Sequence, residues 1–321
     1  RLQNRAGVAG ARDVLKRPVK KNISFEEGLS SLVGFLSLAS ASVWPSDFGN
    51  VGLIKTPSAR LSPDATLSAT VSFDEAANIY NISYQATPWL EGTFRYSVFD
   101  PRKERSEARD GNRDRSYGIK LRLLQERARV PQVAVGIRDL LGTGIWEGEY
   151  LVASKRVGSF DINLGLGWGR LGSRGGISNP LAGLGDGFEA RPAGNTGGDF
   201  GGQSRGSSFF RGDVGFFGGL SYQLSQKPIK LLLEYSGDNY AREVRLGTVD
   251  KPSPLNMGLE WQALADTSVT VAWLRGDSIG INLSTRLNTK SNPPKKASAR
   301  FYSSSEPRSL SQAPESLDLS S

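Results

Sequence analysis

The chain contains neither cysteine nor histidine. Thiolate nucleophiles, disulfides, imidazole-ligated metals, Ser-His-Asp catalysis and a near-neutral imidazole proton shuttle therefore lie outside its repertoire. Carboxylates, lysines and arginines remain. Glu147 and Glu149 stand at i, i+2 on one strand face and are the pair nearest to a glycosidase arrangement, although acids facing a polar interior are commonplace. Gly167-Trp168-Gly169-Arg170-Leu171-Gly172 matches G-x-G-x-x-G, but a dinucleotide fingerprint must follow a strand and open a helix. Here the string ends an extended segment and enters a glycine-rich link, so its glycines mark places where bulk is unwanted. Asp186 and Asp199 lack EF-hand spacing. No catalytic, cofactor-binding or metal-ligating residue is assigned, and no cofactor is expected. What recurs instead is a mixed-sign set on alternate positions: Glu91, Arg95, Lys120, Arg122, Arg138, Glu149, Lys155, Asp161, Lys230, Glu234, Glu260 and Arg286. Such a set suits hydrogen bonding to a hydrated polar ligand, or ion pairing across neighbouring strands.

The elements that must carry this set are strands. In Phe160 to Trp168 a period of two puts Phe160, Ile162, Leu164, Leu166 and Trp168 on one face and Asp161 and Asn163 on the other. Comparable segments start near Thr66, Asn78, Leu90, Ser116, Pro131, Gly148, Ser159, Asp213, Pro228, Pro254, Thr267 and Ser278. Each is long enough for a tilted strand to cross a bilayer, and their number is even. Leu121, Ile162, Leu164, Leu233 and Val271 are expected to face lipid, with Asn163 facing the lumen.

The links sharpen this reading. Those at Phe99 to Arg115, Leu140 to Glu147, Arg170 to Gly212 and Ser236 to Ser253 are long and follow the third, fifth, seventh and ninth segments. Those around Pro88, Arg127, Gly158, Gln226 and Ala265 are short, as periplasmic turns are. Trp89, Trp146, Trp168, Trp261 and Trp273 fall near segment ends, where amphipathic rings gather at membrane interfaces. A soluble β-sandwich is the competing architecture, because it too gives one apolar face per strand. A helical membrane protein is excluded by the lack of any run of about 18 apolar residues.

The net charge of +8 is mostly terminal, since residues 1–21 alone hold seven Lys/Arg against one Asp. The strand region lacks the basic groove with interleaved aromatics that nucleic acid requires. Lys16, Arg17, Lys20 and Lys21, then Leu29 to Leu38, then Ala39-Ser40-Ala41 read as a secretory signal. Residues 288–321 form a Ser/Pro/Lys-rich tail whose composition predicts disorder.

Three strings carry a family resemblance. They are Phe48-Gly49-Asn50-Val51-Gly52-Leu53-Ile54-Lys55-Thr56-Pro57-Ser58-Ala59-Arg60, then Gly136-Ile137-Arg138-Asp139-Leu140-Leu141-Gly142-Thr143-Gly144, and Glu149 to Lys155 followed by Leu164 to Gly172. Together they resemble the YjbH family of outer-membrane exopolysaccharide biosynthesis proteins, which includes the GfcD group-4 capsule proteins. The resemblance implies an outer-membrane protein needed for secretion or assembly of a polymer, with no catalytic residues to carry over. Relatives are usually longer, and many are lipoproteins.

The expected organisation is a signal region over 1–41, an N-terminal periplasmic segment over 42–65, an antiparallel transmembrane β-barrel of about twelve strands over 66–287, and a low-complexity tail over 288–321. The expected role is passage or docking in exopolysaccharide or capsule export, in the outer membrane of a Gram-negative cell, and not as an enzyme. The twelve charged residues then form the lumen lining that contacts polysaccharide. Expected partners are outer-membrane lipid, exopolysaccharide and other export proteins, with no nucleic acid. A general diffusion porin and a carbohydrate-active hydrolase are the alternatives.

Overall fold

In the first strand, Thr66–Phe73, every second residue is a hydroxyl: Thr66, Ser68, Thr70 and Ser72 are buried, whereas Leu67 and Phe73 are exposed. This inverts the rule for water-soluble proteins, and it recurs around a closed sheet. A computed structural model describes residues 42–99, 113–192 and 208–290. It contains twelve antiparallel strands: β1 Thr66–Phe73, β2 Asn78–Thr87, β3 Leu90–Val98, β4 Arg113–Leu124, β5 Gln132–Arg138, β6 Gly148–Val157, β7 Phe160–Gly167, β8 Gly215–Gln223, β9 Ile229–Tyr235, β10 Leu255–Leu264, β11 Thr267–Leu274 and β12 Ser278–Asn288. Each pairs with its neighbours in sequence, and β1 closes on β12. Across that seam the Thr70 and Ser284 hydroxyls meet at 3.0 Å. Full closure leaves no sheet edge.

The outward face is apolar. Leu164 is 69% exposed and Asn163 beside it 2%. Ile162, Leu233 and Val271 are exposed as well, and Leu121 lies on the corresponding face of β4. Trp89, Trp261 and Trp273 project outward. Trp146 and Trp168 depart from the expected interfacial belt: both are buried, Trp146 against Phe99 and Phe48 and Trp168 against Phe210. Their rings stabilise the loops over one mouth and do not meet the outer face.

That mouth is built by the long links. Arg170, at the end of the G-x-G-x-x-G string, bridges Asp238 and Glu243, the latter on the short helix α1, Ala241–Leu246. Arg191 reaches back to Glu147 at 2.8 Å, and Ile177 pairs with Val214. The string is a loop corner on three-ten geometry at Gly169–Gly172 and opens no α-helix. The expected signal region 1–41, Asp199 and the tail beyond residue 290 lie outside the described residues. β12 itself runs to Asn288, where Thr289 N–H donates to the Ala65 carbonyl.

The largest departure concerns the segment expected to be a periplasmic lead-in. Residues 44–60 are almost wholly buried and thread the inside of the barrel. Periodicity reports strands only, and this stretch has none. All three apolar clusters of the interior contain a residue from it. Phe48 packs with Ala77, Ile79, Phe99 and Trp146; Leu53 and Ile54 with Leu232, Ala272 and Leu274; Ala59 with Ala134, Tyr150, Val152, Leu171 and Phe217. The core of this molecule thus lies between an internal plug and the wall. Gly165 makes room for it, since a side chain there would strike the Phe217 ring.

Candidate functional site: the plugged lumen

The plug pairs with no strand of the wall, so its backbone polar groups find partners within the plug, as from Asp47 N–H to the Ile54 carbonyl and from Ser58 N–H to the Val51 carbonyl, and in side chains of the wall. It doubles back three times within the lumen. Trp44 starts beside Arg286 at the short-turn end, and Phe48 reaches Trp146 at the loop mouth. Val51 returns to Glu91 and Lys120, Lys55 rises to Asp74 and Arg275, and Arg60 comes back to Glu126 and Asp161. Bridges Pro45 to Val51 and Gly52 to Pro57 tie the passes together.

Seven of the twelve predicted lining residues hold this segment. Glu234 is the principal clamp: its carboxylate accepts from the Ile54, Lys55 and Thr56 amides at 2.8 to 3.1 Å, from Thr56 Oγ1 and from Asn256 Nδ2. Such a nest of amides suits an anion. Glu91 accepts from Val51 N–H at 3.3 Å and faces Lys120 at 3.4 Å. The Lys120 ammonium donates to the Val51 and Arg60 carbonyls at 2.9 and 2.8 Å. Asp161 takes the Arg60 guanidinium two-pronged at 2.9 and 2.7 Å. Arg286 donates to the Val43 carbonyl and lies over the Trp44 ring. Arg95 and Arg138 donate to the Phe48 and Lys55 carbonyls, and their guanidinium carbons lie 3.8 and 3.7 Å from the Phe48 ring centre.

The other five have different surroundings. Glu149 accepts from Arg191 and from Phe210 N–H, and so anchors the loop over the mouth. Lys155 pairs with Glu126, and Lys230 with Glu260 at 2.7 Å, both along the wall. Arg122 shares the inward face of β4 with Lys120. Glu147 and Glu149 are both tied to Arg191, which engages each carboxylate in an ion pair.

Sequence reasoning missed the plug's own chemistry. Lys55 is gripped by Asp47 and Asp74, and Arg275 joins Asp74 at 3.4 Å. Burial alone would raise the Asp74 carboxyl, but Lys55 and Arg275 hold it well below the usual carboxylate range. Asn50 donates to the Tyr150 hydroxyl, Ala59 N–H to Ser154 Oγ, and Gln132 to the Ala59 carbonyl. The signal available was the string Phe48 to Arg60 itself, conspicuous among the strands for having no alternation. Asp139, just past β5, accepts from the Gly144 and Trp146 amides, and burial next to Asp114 pushes its carboxyl up to about 6. Gly142 permits that turn, because a side chain there would collide with the Asp139 carboxylate.

Two small gaps flank Phe48. One, at the loop mouth, is lined by Lys55, Asp74, Trp146, Arg170 and Tyr240; the other, deeper, by Asn50, Arg95, Lys120, Arg138, Asp139 and Tyr150. With the plug seated, each has room for about one water molecule. Among the described residues no cluster of three or more acidic side chains is arranged to hold a metal ion.

Comparison with known proteins places this architecture. Residues 45–318 match the family described as exopolysaccharide biosynthesis protein YbjH. The chain belongs to the YjbH family. A relative described as an uncharacterized lipoprotein YjbH, from Escherichia coli strain K12, is 39% identical over 249 residues, 76% of this chain and 35% of that protein. The YjbH-family chain thus spans about a third of that relative. Among solved structures, a KdgM porin in complex with disordered oligogalacturonate is similar at 7% identity and TM-score 0.37, covering 69% of this chain and 97% of that one. An outer membrane channel from Pseudomonas putida F1 gives 10% identity and TM-score 0.37, covering 73% and 100%. Likeness at that level has no bearing on function.

Proposed function

We propose that this YjbH-family barrel sits in the outer membrane and takes part in exopolysaccharide secretion or assembly as a docking element whose own lumen is closed at rest. The observation that carries the reading is the occupied interior. A side-chain-clamped segment fills the space through which a diffusion porin would conduct, which argues against the porin alternative. The outward band of Leu164, Ile162, Leu233 and Val271, with Trp89, Trp261 and Trp273, supports a lipid-facing wall. Engagement of both Glu147 and Glu149 by Arg191 argues against a hydrolase built on that pair. Family membership supplies the polymer process. Because the chain covers 35% of the matched relative, the whole protein's partners and substrates are part of this proposal.

Two measurements test it. Removing the gene should abolish polymer secretion while leaving uptake of small solutes unchanged, and purified protein in planar bilayers should conduct far less than an open barrel of twelve strands. Normal secretion, or large steady conductance, would reject the reading. Recovery as a soluble periplasmic monomer, without heat-modifiable mobility on gels, would reject the membrane location.

A further inference from the structure

The two outer passes of the plug are held unequally. In the Ile54–Arg60 limb, Glu234, Lys120, Gln132, Ser154 and Asp161 satisfy the backbone and Arg60, and none of the limb's own buried side-chain polar atoms lacks a partner. The Trp44–Asn50 limb is held by Asn81 at the Asp47 carbonyl, Arg95 at the Phe48 carbonyl, Asn50 at Tyr150 and Lys55 at Asp47, yet Trp44 Nε1 and Asp47 Oδ1 are buried without a partner. The wall facing that limb shows the same deficit at Asn81 Oδ1, Trp146 Nε1 and both Nε and Nη1 of Arg95. Each such group forfeits a hydrogen bond that it would regain in contact with water or a polar ligand.

Three such unpartnered atoms belong to the two cations beside Phe48. Arg95 and Arg138 are 4% and 6% exposed and flank the Phe48 ring from two sides. Neither has a carboxylate within ion-pairing distance among the described residues, and Arg138 also has an unpartnered Nε. Lys120 nearby is offset by Glu91, and Asp139 contributes one carboxylate to the lining, where it is already engaged by two amides. Phe48 and Arg138 line both gaps. If Phe48 withdraws, the gaps join into one groove between the loop mouth and Lys120, with Arg95 and Arg138 freed along it.

We propose that the Trp44–Asn50 limb is a displaceable cover over this arginine-lined groove, and that the groove takes the carboxylate groups of an acidic polysaccharide. The inference rests on the reading of the barrel as a polymer-handling element and names the polymer class. An anion is favoured because it supplies the direct ion pair that Phe48 cannot, whereas a neutral sugar would leave both guanidiniums with only the longer-range attraction of carboxylates such as Asp47, Asp139 and Glu234. The Ile54–Arg60 limb stays clamped by Glu234 throughout, so the barrel keeps a partly filled core while the cover moves.

The absence of native cysteine makes the test clean. Ser46 and Ser58 lie in opposite limbs, at 1% and 3% exposure, and each donates its hydroxyl to a nearby plug carbonyl. S46C and S58C, folded in detergent as judged by heat-modifiable mobility, are reacted with a sulfonated methanethiosulfonate reagent at constant ionic strength. The expected result is labelling of S46C at least tenfold faster than S58C, and a further threefold or greater acceleration of S46C alone by an alginate oligomer. A dextran oligomer of equal length should have no effect, and R95M in the S46C background should abolish the acceleration. Equal rates at the two positions would overturn the displaceable limb; equal acceleration by dextran, or none by alginate, would overturn the acidic ligand. The alginate and dextran comparison in S46C alone decides the matter if R95M does not fold. Failure here with secretion still lost on gene removal would leave the docking role standing and remove only the groove.

Discussion

Glu234 shows how one side chain decides whether the interior is sealed. Three backbone amides and two side chains converge on its carboxylate in a site without exposure. Replacing it by alanine strands those donors, each at a cost of roughly 1 to 3 kcal/mol when buried. E234A should therefore lower the temperature of the heat-modifiable gel transition and raise bilayer conductance, and E234Q, which keeps one acceptor oxygen, should do less of both. Asp139 gives a pH-dependent counterpart. Its folded pKa of about 6 exceeds the ordinary 3.8, so the folded state binds the proton more tightly than the unfolded chain. The added stability is fully present below about pH 4 and is lost as pH rises through about 6. Relief of the buried negative charge should therefore raise the temperature of the heat-modifiable gel transition at pH 4.5 relative to pH 7.5, and D139N should reduce that difference. A pH dependence of the same size in D139N would place the titrating group elsewhere.

The strands carry two separate codes, and substitutions read them separately. On β7 the outward Leu164 faces the apolar surround, so Leu164→Arg should cost about 2 to 4 kcal/mol in a refolding assay from urea into lipid vesicles. A neutral result would reject the facing. The inward position next to it does not behave as an open lumen would predict. Asn163 Oδ1 accepts from Ser154 Oγ, which in turn accepts from Ala59 N–H, so Asn163 is linked through Ser154 to the plug. A water-filled lumen would make substitution at Asn163 cheap, and the plug removes that water. Asn163→Leu should instead lower stability measurably in the same assay. Arg138 shows the same complication, because its reversal to Glu would disturb the plug as well as any contact with polymer. Arg122, on the same inward face near the short-turn end, is the cleaner position for charge reversal.

For the whole molecule, the barrel and its filling are separable in principle. Every strand pairs with its sequence neighbours and the sheet closes without help from residues 44–60. The three apolar clusters nevertheless all lose a member without that segment. Deleting residues 44–60 should give a barrel that still shows heat-modifiable mobility, melts at lower temperature and conducts in bilayers where the intact chain is nearly closed. An equally silent deletion variant would assign closure to the loops at the mouth.

The wall of the barrel is legible in the amino-acid sequence alone. Alternation is local, so a period of two fixes which residues of β1, β7 or β12 face out, and the order of long and short links fixes which ends share a mouth. It also placed the inward charges, because alternation does not depend on what fills the interior. What those charges meet depends on the folded chain inside the wall. Glu234 and Ile54 are 180 residues apart, and Arg60 and Asp161 are 101 apart. The segment between Trp44 and Arg60 has no periodicity, and beside a few backbone bonds within itself, such as Ser46 N–H to the Asn50 carbonyl and Ser58 N–H to the Val51 carbonyl, its hydrogen bonds go to side chains in distant strands. Such pairings exist only once the sheet has closed around the chain, so no local pattern could record them, and the string that carried the family resemblance proved to be the plug.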